Sequence, residues 1–170
     1  LLMYAEAKAE LGILTQDDVN QTINLIRQRA GMPDASLDDW LANIDPVQDE
    51  RYSNVQSAQK GAVLEVRRER RIELACEGFR YGDLMRWGCG ERLVAPKAGM
   101  MLYTDVYTPE EIAVLKTEVG TYADGSLDVY GKRVTTPAIF ESPKHYLFSL
   151  PLNEMALNPK LKPNNPGWGD

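Results

Sequence analysis

The stretch "ERRIELACEGFRYGDLMRWG", residues 69–88, leaves the chain few ways to fold. On a helical wheel Leu64, Ile72, Ala75, Cys76 and Phe79 share one arc, whereas Val63, Val66 and Leu74 lie well away from it. Both sides of such a helix ask for burial. From residue 65 to residue 86 six arginines stand against four glutamates and one aspartate, a balance of about +1. The charges can therefore neutralise one another inside the protein. Glu65 and Arg68 sit three residues apart toward the first apolar arc, which predicts a partly buried ion pair. Desolvating two charges roughly offsets their attraction, so the pair is read as fixing how the helix docks rather than as adding stability.

The flanking sequence supplies helices for this strut to meet. Leu1, Tyr4, Ala7 and Leu11 recur at helical spacing before Gly12. Thr15 and Asp18 form a capping-box start for a second helix, striped by Val19, Ile23, Ile26 and Ala30 and stopped by Gly31 and Pro33. The pair resembles one tetratricopeptide unit, and such solenoids need about three repeats to bury their faces. Leu1 opens directly into helix, so the chain reads as a fragment whose neighbouring repeats, and any export or anchoring signal, lie upstream. Residues 32–58 read as loop around a short helix from Ser36 to Ile44, and a long helix is expected from Gln59 to Glu77, ended by Gly78. Beyond Gly88 glycines and prolines multiply. A helix over Pro109–Val119, a hairpin-like turn "ADGS" at 123–126, an extended segment at 145–151 and a non-helical, proline-rich tail are predicted there.

Composition and motifs exclude several chemistries. A net charge of -6 argues against a polyanionic partner. No run of about 18 apolar residues offers a membrane span. Cys76 and Cys89 are too few for a disulfide scaffold and lack zinc-site spacing. Glu69, Glu73 and Glu77 form an i, i+4, i+8 stripe that raises the question of metals or acid–base catalysis. Di-metal bundles require Glu-x-x-His pairs, and the one histidine, His145, stands far away and is read as a hydrogen-bonded structural residue. Nucleophile elbows, phosphate loops and dinucleotide fingerprints are absent from the sequence. Catalytic residues, metal ligands and cofactor sites are therefore all expected to be none.

Four ordered blocks carry a resemblance. They are "YAEAKAELG", "INLIRQRAGMP", the stretch at 69–88, and "KHYLFSLPLNEMALNPKLKPNNPGW". Together the chain resembles the C-terminal portion of the SusD/RagB family of outer-membrane nutrient-binding lipoproteins. The signature positions are Glu69, Arg70, Arg71, Glu73, Leu74, Glu77, Gly78, Arg80, Asp83, Leu84, Arg86 and Trp87. The resemblance implies a mostly α fold, with tetratricopeptide-like helix pairs, long irregular loops and a few short strands. It implies one SusD-like domain over 1–170, divided into a helical hairpin (1–31), a loop with the signature helix (32–88) and a loop-rich region (89–170). It further implies a lipid-anchored protein of the bacterial outer-membrane surface. Such a protein binds oligosaccharide or polysaccharide, in some members peptide, and passes it to a TonB-dependent transporter without cleaving it.

A glycan site needs aromatic platforms for the apolar sugar face and planar polar groups for the hydroxyls, carried on loops. Trp40, Tyr52, Tyr122 and Tyr130 are the candidates, with Tyr103 and Tyr107 beside them, although core packing competes for each. Asp124 and Asp128 lack the spacing of a full calcium loop. Two other classes stay open at this stage, a helical-repeat interaction adaptor and a carboxylate glycosidase.

Overall fold

The computed structural model describes residues 1–94, 99–103, 105–122, 124–128 and 138–169. It divides into two compact units, residues 1–89 and 90–170. The protein is mostly α, with nine α-helices among the described residues.

In the first unit, α1 (Leu2–Glu10) is followed by α2 (Gln16–Gln21) and α3 (Ile23–Arg29). Next come α4 (Leu37–Ala42), α5 (Pro46–Arg51), α6 (Lys60–Glu73) and α7 (Phe79–Arg86). Helices α1, α3 and α4 pack on α6, which is buried on nearly every side from Gly61 to Arg70. The expected buried strut is therefore present, but it is shorter. It stops at Glu73, because Cys76 turns into the left-handed region at φ 65° and Gly78 follows at φ 82° to open α7. As a result Ile72, Ala75, Cys76 and Phe79 are exposed, and only Leu64 of that predicted apolar arc is in the core.

The predicted second helix is broken. Thr22 leaves helical geometry at φ -129° and ψ -81°, and its hydroxyl donates to the Asp18 carbonyl at 2.5 Å. A β-branched residue bonded back onto the preceding turn separates α2 from α3. The Thr15–Asp18 capping box forms as expected. The face of α1 is also reversed: Leu2, Ala5, Glu6 and Ala9 are buried, while Leu1, Tyr4, Ala7 and Leu11 face outward. Small side chains at 5 and 9 permit close approach to α6, and a short helix whose two faces are both partly apolar does not reveal from periodicity which one packs.

Helix α5 arises within the expected loop. Asp45 caps it by accepting from the Val47 and Gln48 amides, with Pro46 at the first helical position, a start signal the sequence carries openly. Three amide side chains then tie loop backbone to helix. Asn24 accepts from the Ala35 amide at 2.7 Å, Gln16 accepts from the Leu37 amide at 2.7 Å, and Gln59 both accepts from and donates to the Leu14 backbone. Each takes the place of a backbone partner that a sheet would have supplied.

The second unit is loop-rich. Helix α8 (Pro109–Val119) has the predicted bounds, opened by a Thr108–Glu111 capping box and closed at Gly120. The hairpin region forms one isolated bridge, Thr121 to Leu127, the strand content among the described residues. Its turn holds Gly125 at φ 85° and Asp124, which accepts from the Ser126 amide and hydroxyl; Ala123 lies outside the described residues. The segment expected to be extended at 145–151 begins instead with a 3-10 turn, Lys144–Tyr146. Helix α9 (Leu152–Leu157) precedes a second such turn at Pro159–Leu161, capped by Asn158. The tail is otherwise irregular and is stitched by Asn164, which accepts from the Leu150 amide and donates to Ser149 and the Gly169 carbonyl.

Two outcomes follow from the first unit. A Cβ on Gly61 would lie 1.9 Å from the Trp40 carbonyl oxygen, where α4 crosses α6. Gly61→Ala is expected to lower unfolding stability by roughly 1–3 kcal/mol in chemical denaturation. Asp18 accepts from the Lys8 ammonium at 2.6 Å and from Thr15 and Tyr4, which together hold its carboxyl well below the usual range. Stability from this carboxylate is present above the ordinary aspartate value and is lost as pH falls toward the depressed one. Asp18→Asn should flatten the acid limb of a stability-against-pH profile.

Candidate functional site

The signature residues assemble into one partly buried ionic centre in the first unit. Glu6 of α1 is its keystone. One carboxylate oxygen accepts from the Trp87 indole at 2.6 Å and lies 2.6 Å from Arg86 Nη1, while the other accepts from Arg86 Nη2 at 2.7 Å. Asp83 accepts from Arg70 Nε at 2.7 Å and from Arg86 Nη2 at 3.0 Å. Arg67 donates to Glu10 at 2.8 Å, and its guanidinium lies 4.6 Å from the Trp87 ring centre and 5.3 Å from that of Tyr52. Arg80 donates to the Tyr52 hydroxyl at 2.8 Å. Trp87 and Tyr52 meet edge-on at 5.7 Å.

The carboxylate stripe is consumed by the next helix. Glu69 pairs with Arg27, and Glu73 takes both oxygens to Arg29 at 2.7 and 2.8 Å, so α3 is clamped along α6 by two arginines two residues apart. Glu77 is exposed. Glu65 pairs with Arg68 as expected, and burial pushes its carboxyl above the ordinary value. Among the described residues no group of three or more His, Cys, Asp or Glu side chains comes together to hold a metal.

The four ligand candidates separate. Trp40 is 7 % exposed and Tyr52 2 %, and Tyr52 is committed to the ionic centre, so neither ring offers a face to a sugar. Tyr122 is half-buried; its hydroxyl is hydrogen-bonded to Asp128, and burial first, then that carboxylate, raises its pKa. Tyr130 lies outside the described residues. Of the neighbouring tyrosines, Tyr107 is half-buried and Tyr103 is 61 % exposed on the loop before α8.

The closing block carries an aromatic cluster. Phe140 packs edge-on against Tyr146 at 4.8 Å and His145 at 5.6 Å, and Trp168 donates to the Leu147 carbonyl at 2.9 Å. His145 accepts from the Glu141 amide at 2.8 Å, the structural role expected of it. Between these anchors Phe148 stands 85 % exposed, with Asn165 donating to its carbonyl at 2.6 Å.

Sequence reasoning missed Glu6 and Glu10. Their signal was present: each acid lies in the first of the four blocks, and Glu6, flanked by alanines on a helix, is well placed to meet a guanidinium. Removing Glu6 leaves an indole N–H and part of an arginine pair without a buried acceptor. Glu6→Ala should cost about 3 kcal/mol in denaturant unfolding, whereas Glu6→Gln, which keeps an acceptor for Trp87, should cost less.

A family model described as SusD family matches residues 1–168. No curated protein and no solved structure matches the chain significantly.

Proposed function

Since the chain belongs to the SusD family, we propose that it binds oligosaccharide or polysaccharide at the bacterial surface and delivers it to a TonB-dependent outer-membrane transporter without cleaving it. Membership supports a nutrient-binding, outer-membrane-associated protein in general, and the match over essentially the whole chain is the observation that carries the finer reading. A lipid anchor belongs to the same proposal. No helix among the described residues is long and apolar enough to cross a membrane.

The engagement of the acids supports binding without cleavage. Glycoside hydrolysis uses two carboxyl groups facing a cleft, one as acid and one as base or nucleophile. Here Glu6, Glu69, Glu73 and Asp83 are each committed to arginine. These acids serve as counter-charges that join the helices of the unit.

For the ligand platform, loop tyrosines of the second unit are the better choice than the buried rings. Tyr103 is largely exposed, Tyr122 combines an aromatic ring with its hydrogen bond to Asp128, and Tyr130 remains a candidate. Calorimetric titration of the full-length protein with a panel of oligosaccharides, followed by chromatography of the incubated sugar, tests the reading. Saturable binding with intact sugar is the expected result, and Tyr103→Ala should weaken it roughly 3- to 10-fold. Sugar turnover abolished by changing one acid of a close pair would overturn it.

A further inference from the structure

In the first unit a cavity of about 480 Å³ opens where α6 ends and α7 begins. Its charged lining is Arg70, Arg71, Arg80 and Asp83. We infer that this cavity is an oxyanion-binding site, taking a carboxylate or sulfate-type group on the three guanidinium groups and the start of α7.

The argument is one of uncompensated positive charge. Asp83 is the sole carboxylate in that lining, and both its oxygens are taken, one by Arg70 and one by Arg86, which lies outside the cavity. Arg70 has a side chain only 8 % exposed; its Nε donates to Asp83 and lies 3.9 Å from Glu6, and its two terminal nitrogens make no hydrogen bond seen among the described residues. Arg80 spends Nη2 on a neutral phenol, and its Nη1 is buried without an acceptor. Arg71 is exposed and makes no ion pair among the described residues. Helix α7, eight residues long, adds its own positive end, with no side-chain cap and no acidic residue in its first turn.

Elsewhere in this unit guanidiniums meet carboxylates. Arg67 has Glu10, Arg27 has Glu69, and Arg86 has Glu6. Arg67 also keeps two buried nitrogens without an acceptor, but it has a carboxylate of its own, whereas three arginines share one lining carboxylate at this cavity, in a chain whose net charge is -6. Guanidinium forks and a helix start present planar N–H groups that match the geometry of an oxyanion. The volume is that of a small-ligand pocket, so the oxyanion can be free or carried on a sugar ring.

The test is calorimetry on the full-length protein at constant ionic strength, with chloride as the balancing ion. Three probes are compared: sodium sulfate, a glucuronate-containing disaccharide and a neutral disaccharide of the same size. Saturable binding of sulfate or of the glucuronate disaccharide is expected, weakened about 10-fold by Arg71→Ala, since a hydrogen bond to a charged group contributes about 1.5 kcal/mol. Arg71 is exposed, so the ligand-free melting temperature should not move, and Arg71→Lys should restore part of the affinity. Stronger binding of sulfate points to a free or esterified sulfate, and stronger binding of the disaccharide to an acidic saccharide. The inference fails if neither anion binds above chloride, or if Arg71→Ala and Arg80→Gln both leave the affinity unchanged.

Discussion

A guanidinium group taken out of water has to be met by a carboxylate or an aromatic face, and the first unit is organised around that requirement. Helix α6 places Arg67 and Arg70 in the interior, each 5–8 % exposed at the side chain. Neither can stay there alone, because an unpaired buried charge costs several kcal/mol. Glu10, Asp83 and the rings of Tyr52 and Trp87 meet them, from α1, from α7 with its C-terminal cap, and from the end of α5. The pairs thereby fix the positions of α1, α7 and the segment after α5 against α6. Such pairs add little net stability, but a wrong arrangement of the helices would leave charges buried without partners.

The same logic joins the sequence blocks. Arg27 and Arg29 of "INLIRQRAGMP" reach Glu69 and Glu73 of the signature stretch. Glu6 and Glu10 of "YAEAKAELG" reach Arg86 and Arg67. Two of the three acids in the stripe that could have suggested catalysis, Glu69 and Glu73, are thus the counter-charges of arginines on a neighbouring helix. The closing block follows another principle: Asn164, Asn165 and Trp168 bond to loop backbone, so irregular chain is held without a sheet.

Much of this was legible beforehand. The Thr15–Asp18 cap, the short helix after Ser36, the α8 bounds and the burial of the helix that leads into the signature could be read because caps and apolar arcs are local patterns. The break at Thr22, the start of α5 and the turn at Cys76 were not read. Thr22 adopts its conformation in a buried setting and Cys76 at an exposed turn, and a single threonine or cysteine in a helical pattern does not announce either. Asp45-Pro46 did announce a helix, and the surrounding loop-like composition obscured it. Two of the four aromatic candidates, Trp40 and Tyr52, are buried for one reason. Trp40 and Tyr52 sit in loop-like sequence yet fill the core, since large rings supply the apolar area that short helices lack.

The sequence by itself determined that a charge-balanced helix would be buried within a helical unit, because its apolar arcs and its near-neutral ionic composition are both countable from residue order. Only the tertiary structure decided which carboxylate answers which arginine, which face of α1 turns inward, and where positive charge is left over. Those outcomes depend on distances between helices far apart in the chain, and at short range in a low-dielectric interior an ångström or two separates a satisfied charge from an unanswered one.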